Sequence, residues 1–142
     1  METVHGTTVA LDGEGVLLRG PPGCGKSDLA LRLIDGGGAL IADDRSALSL
    51  DAGRVFARAP DAIHGKLEVR GIGIVRVAAL TRVPLTLVVD LAPLQTRERM
   101  PPPETVELLG ISVRAIRLAA FEASSPAKIR LAVRAGADDI EV

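Results

Sequence analysis

Gly20-Pro21-Pro22-Gly23-Cys24-Gly25-Lys26-Ser27 is the stretch that decides how the rest of this 142-residue chain reads. It matches the pattern G-x-x-x-x-G-K-[ST] in full, with a short apolar strand at 16–19 before it and helical spacing after it. The pattern has a chemical reason. A triphosphate is densely negative, and glycines let successive backbone N–H groups turn toward it because no Cβ blocks the approach. A helix starting near Lys26 points its positive end at the phosphates. The Lys26 ammonium can reach the β- and γ-phosphates, and the Ser27 hydroxyl can bind Mg2+. Four fixed positions coincide by accident in roughly 0.5% of chains this long, and the strand–loop–helix setting makes an accident rarer still. Cys24 fills a variable position and reads as a small loop residue rather than a redox or catalytic thiol.

Working outward, Leu29, Ala30, Leu33 and Ile34 place one apolar face on a helix over 27–34, which Gly36-Gly37-Gly38 stops. Residues 39–42 read as a strand ending at Asp43-Asp44. If that strand lies beside the loop's strand, its carboxyl end faces the phosphates, where open α/β sheets place ligands. One carboxylate there can bind Mg2+ and the other can accept a hydroxyl proton. Upstream, 7–11 is a strand closed by an Asp12-Gly13 turn. Downstream, 47–50 and 54–57 form a hairpin around 51–53, and 66–77 mixes β-branched residues with Gly71 and Gly73. The apolar run 85–91 fits a strand covered on both faces. Three consecutive prolines make 97–103 a loop. Residues 105–109 and 113–118 flank Gly110 as a strand pair, and Ser125-Pro126 reads as N-cap and first helical position of a helix stopped at Gly136. The expectation is one α/β domain over 1–142, a P-loop nucleotide-binding fold with a mixed sheet and few helices.

Composition narrows the function classes. With 47% hydrophobic and 25% charged residues the chain is globular, not disordered. A single cysteine excludes a disulfide framework and a cysteine-built zinc site. A net charge of −1, two Phe and no Trp or Tyr argue against nucleic acid as partner. No apolar run is long enough to span a bilayer and no signal pattern opens the chain, so a cytoplasmic protein with no membrane partner is expected. On composition alone His5 is a terminal histidine, His64 is structural or faces solvent, and Glu68 and Arg70 form the polar face of a strand. Arg97 and Arg99 lie in the proline-rich loop as phosphate-stabilising arginines or surface charge.

Together these pieces resemble the catalytic domain of the HPr serine kinase/phosphorylase family. The resemblance is carried by Val4-His5-Gly6, the loop at 20–27, Ala42-Asp43-Asp44, Ala59-Pro60 and, most specifically, Leu67-Glu68-Val69-Arg70-Gly71-Ile72-Gly73-Ile74. It covers 4–91 well and weakens beyond. It implies a P-loop fold related to phosphoenolpyruvate carboxykinase, ATP and Mg2+ as cofactors, an HPr-like phosphocarrier protein as partner, and a homo-oligomer, the family's being a hexamer. It also implies roles. His5 resembles the active-site histidine near the transferred phosphate, and Lys26 and Ser27 keep their loop roles. Asp44 matches the aspartate that accepts the proton in phosphorylation and returns it in the reverse reaction. Glu68 resembles the acid that shares Mg2+ with Ser27, Asp43 is a further metal candidate, and Arg99 is the best match to an active-site arginine. Long members carry an extra N-terminal domain, so the likeness is to a short form. Where the family has a Pro-Gly-Arg-Asn-like segment tied to dephosphorylation, this chain has Pro126-Ala127-Lys128-Ile129, without the arginine.

Three functions follow as alternatives. A protein-serine kinase would use Asp44 as base, with Lys26 and Arg99 neutralising developing charge. A small-molecule kinase or NTPase would use the same loop but has no reason to carry 67–74. A nucleotide-sensing module would need no base.

Overall fold

The computed structural model describes residues 2–92 and 99–135. In chain order the elements are β1 (Glu2–His5), β2 (Thr7–Leu11), β3 (Glu14–Arg19), α1 (Lys26–Asp35), β4 (Ala39–Ala42), β5 (Arg45–Asp51), β6 (Arg54–Arg58), a 3-10 turn (Asp61–Ile63), β7 (Lys66–Val69), β8 (Gly73–Arg76), β9 (Arg82–Leu91), β10 (Glu104–Leu108), β11 (Ile111–Leu118) and α2 (Ser125–Ala135). This is the α/β fold expected, a mixed sheet with two α-helices among the described residues. Among those residues no helix is long and apolar enough to cross a membrane.

The sheet's order decides where the loop looks. β3 runs parallel to β9, and β9 parallel to β11. On its other side β3 pairs antiparallel with β2, which pairs antiparallel with β4. The strand carrying the acidic pair is therefore one place removed from the loop's strand, not beside it. The reason is local. Asp12 and Gly13 both adopt positive φ, 52° and 79°, the turn geometry that joins antiparallel neighbours through two residues. That hairpin puts β2 between β3 and β4. Two antiparallel steps restore direction, so β3, β4, β9 and β11 all end at one edge of the sheet, the edge where such folds place ligands.

Two apolar layers hold the sheet. On one face Leu29, Ala30 and Leu33 of α1 and Ile129 of α2 pack against Val9, Val16, Leu18 and Val89. On the other, Leu48, Val55 and Ala57 of the β5–β6 hairpin pack against Leu17, Ile41 and Val88. The ten-residue β9 feeds both layers, Leu87, Val89 and Leu91 into the first and Val83, Leu85 and Val88 into the second, as its continuous apolar run requires. Segment 66–77 is a separate two-stranded hairpin, anchored by the fully buried Leu67 in the helix-side core.

Two local readings change. Residues 2–5 form an edge strand paired with β5, His5 opposite Arg45, so the terminal histidine is held in the sheet. The α2 helix begins one residue earlier than its cap signal indicates: Lys128 N–H donates to Ser124 O, and the fully buried Ser125 turns its Oγ to the Ala119 carbonyl instead of capping. The Gly136 stop and Arg97 lie outside the described residues.

Close packing gives a stability test. A Cβ on Gly15 would stand 2.6 Å from the Pro84 carbonyl and 2.7 Å from Val83 Cγ1, where β3 shifts register against β9. Gly15→Ala is expected to cost about 1–3 kcal/mol by overpacking, lowering Tm by roughly 3–10 °C in thermal unfolding. An unchanged Tm would mean that β3 and β9 do not pack this closely.

Candidate active site

The loop at 20–27 leaves β3 and enters α1 through Gly25, whose φ of 102° is left-handed and whose carbonyl accepts the first helical bond, from Leu29 N–H at 2.9 Å. No side chain caps this helix, so its leading N–H groups are left for a ligand. Lys26 is 92% covered and satisfied inside the loop: Nζ donates to Gly20 O at 2.8 Å and Pro21 O at 3.3 Å. The ammonium is thereby folded across the loop that would surround an anion.

The acidic pair arrives from β4 and divides into two environments. Asp43 is 9% exposed and accepts three hydrogen bonds: Ser27 Oγ at 2.7 Å and Thr7 Oγ1 at 3.2 Å on Oδ1, and Glu68 N–H at 3.0 Å on Oδ2. One carboxylate thus ties the first turn of α1, the start of β2 and the β7 strand together. Asp44 is exposed, with φ 66°. Its N–H donates to Thr7 Oγ1 at 3.0 Å and its carbonyl accepts from Gly6 N–H at 2.8 Å. Thr7, fully buried, is the hinge between the two aspartates.

A cleft of about 410 Å³ opens above this arrangement. Lys26, Ser27 and Asp28 face it from the loop and helix, Asp44 from β4, and Glu68 and Arg70 from the β7 strand and the turn after it. Asp28 is paired with Arg32 at 3.0 Å, which leaves Asp44 and Glu68 against Lys26 and Arg70, so the cleft holds no surplus of positive charge for a triphosphate and a cation would have to accompany one. The donors facing the cleft are oxygens, and no group of three or more His, Cys, Asp or Glu able to hold a metal occurs among the described residues. That set suits Mg2+, which keeps waters and substrate phosphates and takes one or two protein oxygens rather than a full protein cage.

The structure therefore brings together Lys26, Ser27, Asp44 and Glu68, with Pro22, Gly23 and Gly25 in the same wall. Asp43 stands behind Ser27. Gly20 and Pro21 accept the Lys26 ammonium, and Pro21 and Cys24 face a second cleft on the other side of the loop. His5 reaches the site only through the backbone, as the residue before Gly6. Arg99 is exposed beside Met100 Sδ at 3.9 Å and does not line the cleft. His64 is exposed, the solvent-facing one of the two readings left open by composition. Sequence reasoning passed over Thr7 and Phe121. Thr7 carries no spacing signal, since its partners lie 36 and 37 residues away. Phe121 stands out only as one of two aromatic residues.

Strand, glycine loop and helix, with Asp44 and Glu68 facing the loop's cleft, define a P-loop α/β domain. Comparison with known proteins narrows this. The family model described as HPr Serine kinase C-terminal domain matches residues 1–135, and the chain belongs to that family. An HPr kinase/phosphorylase of Bordetella pertussis is 38% identical over 128 residues, covering 82% of this chain and 42% of that protein. One from Lactobacillus acidophilus is 40% identical over 97 residues, covering 63% and 30%. The chain thus spans about two fifths or less of the curated relatives it matches. Among solved structures, the Hpr(Ser) kinase/phosphatase from Coxiella burnetii superposes with a TM-score of 0.84 at 28% identity, covering 94% of this chain and 89% of that one.

Proposed function

We propose that this chain carries the catalytic centre of an ATP-dependent protein-serine kinase that phosphorylates an HPr-like phosphocarrier protein of a phosphotransferase system, in the cytoplasm and as a homo-oligomer. The observation that carries this reading is the placement of Asp44, an exposed carboxylate on left-handed backbone, in the same cleft as Lys26 and Ser27. The names of its relatives support the substrate class.

The carrier's serine oxygen attacks the γ-phosphorus in line. Its proton passes to the Asp44 carboxylate, the bond from the γ-phosphorus to the bridging oxygen breaks, and ADP leaves with that electron pair. Lys26 offsets charge on the transferring group. Ser27 Oγ and Glu68 would hold Mg2+, with Asp43 fixing the Ser27 hydroxyl from behind; the ion supplies charge neutralisation at the phosphate oxygens. His5, next to the Gly6 N–H that anchors the Asp44 carbonyl, is assigned to the neighbourhood of the transferred phosphate. Arg99 can join the site only by moving toward it. In dephosphorylation an oxygen of inorganic phosphate would attack the phosphorus of the phosphoserine, the bond from that phosphorus to the serine oxygen would break, Asp44 would give its proton to the serine oxygen, and pyrophosphate would leave.

Intact-mass spectrometry of an HPr-like carrier incubated with this protein and Mg-ATP tests the proposal. The expected result is a single phosphate adduct on serine, absent with Lys26→Ala. Adding excess phosphate then tests whether the adduct is lost with release of pyrophosphate. Tight nucleotide binding with no adduct on any carrier would overturn the kinase assignment.

A further inference from the structure

Two clefts meet at one side chain. Phe121 faces the phosphate cleft and also an apolar cleft of about 490 Å³ on the far side of the loop, to which Pro21, Cys24, Leu91 and Ala120 contribute. Its side chain is a large apolar surface left mostly in water, 70% exposed. Its position is nevertheless fixed. A Cβ on Gly25 would stand 2.8 Å from Phe121 Cζ, so the ring lies directly on the backbone of the phosphate loop. The carbonyls on either side of Phe121 both accept from one guanidinium of α1: Arg32 Nη2 donates to Ala120 O, and Nη1 to Glu122 O at 3.1 Å. Ser125 N–H adds a second bond to Glu122 O, also at 3.1 Å. The segment leaves the carboxyl end of β11, which runs parallel to β9 as β9 does to β3, so it reaches the same sheet edge as the loop.

An aromatic ring seated on the glycine loop, held by the helix that follows that loop, stands at a fixed distance from any bound phosphate. We infer that Phe121 is the platform on which the base of the bound nucleotide stacks. This rests on the reading of the loop as a triphosphate site. The occupant follows from continuity: the ring is shared with the phosphate cleft, and a nucleoside extends from its α-phosphate. Every base offers a π-face, so such a platform favours a nucleoside triphosphate over an inorganic polyphosphate and discriminates weakly among bases.

Calorimetric titration of the wild type, Phe121→Leu and Phe121→Trp with Mg-ATP and with magnesium tripolyphosphate tests it. Leucine keeps apolar bulk on Gly25 without the π-face. Its affinity for ATP is expected to fall about tenfold while that for tripolyphosphate holds. Tryptophan is expected to retain ATP affinity. As the chain has no Trp of its own, the introduced indole's fluorescence should respond to ATP and not to tripolyphosphate. Equal losses for both ligands in Phe121→Leu, or no loss for ATP, would overturn the platform while leaving the phosphate site intact. Failure of the wild type to bind either ligand would overturn the phosphate-site reading, and the platform with it.

Discussion

Asp44→Asn is expected to leave Mg-ATP affinity within about twofold of wild type and to lower phosphoryl transfer to the carrier by roughly 10²–10⁴-fold. Asparagine is the right probe because of the backbone. At φ 66° a residue pays for its Cβ, and Asn, like Asp, tolerates that region better than other side chains. The bonds that hold the position, Asp44 N–H to Thr7 Oγ1 and Gly6 N–H to Asp44 O, are made by the main chain and survive the change. What disappears is a carboxylate able to take a proton, in a cleft shared with Lys26 and Ser27. Alanine would confuse strain with chemistry. The measurement is the initial rate of serine phosphorylation beside a binding isotherm on the same preparation. Full activity in Asp44→Asn would exclude Asp44 as the base and leave the serine proton to another acceptor.

The parts of this site legible in the sequence are those whose partners are close in the chain. Residues 20–27 announce themselves because the whole motif lies within one loop. The α1 stripe of Leu29, Ala30 and Leu33, the Asp12-Gly13 turn and the hairpin around Asp51-Ala52-Gly53 are equally local, and each is where the sequence puts it. What could not be read was settled by pairing at a distance. The place of β4 depends on β2 inserting between it and β3, which no periodicity encodes. The pair Asp43-Asp44 could be flagged as acidic but not divided into a buried member and an exposed one, because that division is made by Thr7 and by the main chain of Glu68. Likewise Ser125 resembles a cap by type and position, yet a buried carbonyl at Ala119 claims its hydroxyl. Phe121 gains meaning only from the ring's position over Gly25.

That division makes the two adjacent aspartates opposite in their consequences. Asp43→Ala strips the acceptor from the fully buried Thr7 hydroxyl, from Ser27 Oγ and from the Glu68 N–H together. Leaving buried donors unpaired costs about 1–3 kcal/mol each. With Ser27 and Glu68 able to reach water, a total of roughly 2–4 kcal/mol is expected, a fall in Tm of about 5–15 °C. Mg-ATP affinity should drop as well, since the Ser27 hydroxyl loses the partner that orients it. Asp43→Asn separates the two effects. Its single amide oxygen can stay at the Oδ1 position and keep Ser27 and Thr7, but its NH2 then faces the Glu68 N–H, donor against donor. The asparagine variant should therefore be destabilised yet bind nucleotide better than the alanine variant. Asp44→Asn, on an exposed side chain, should shift stability by no more than about 0.5 kcal/mol. Thermal unfolding and calorimetric titration of the three variants side by side read out both axes. If Asp43→Ala proved as stable as Asp44→Asn, Asp43 would not be the buried carboxylate that joins Thr7, Ser27 and the β7 strand, and the geometry that sets Asp44 toward the cleft would need another source.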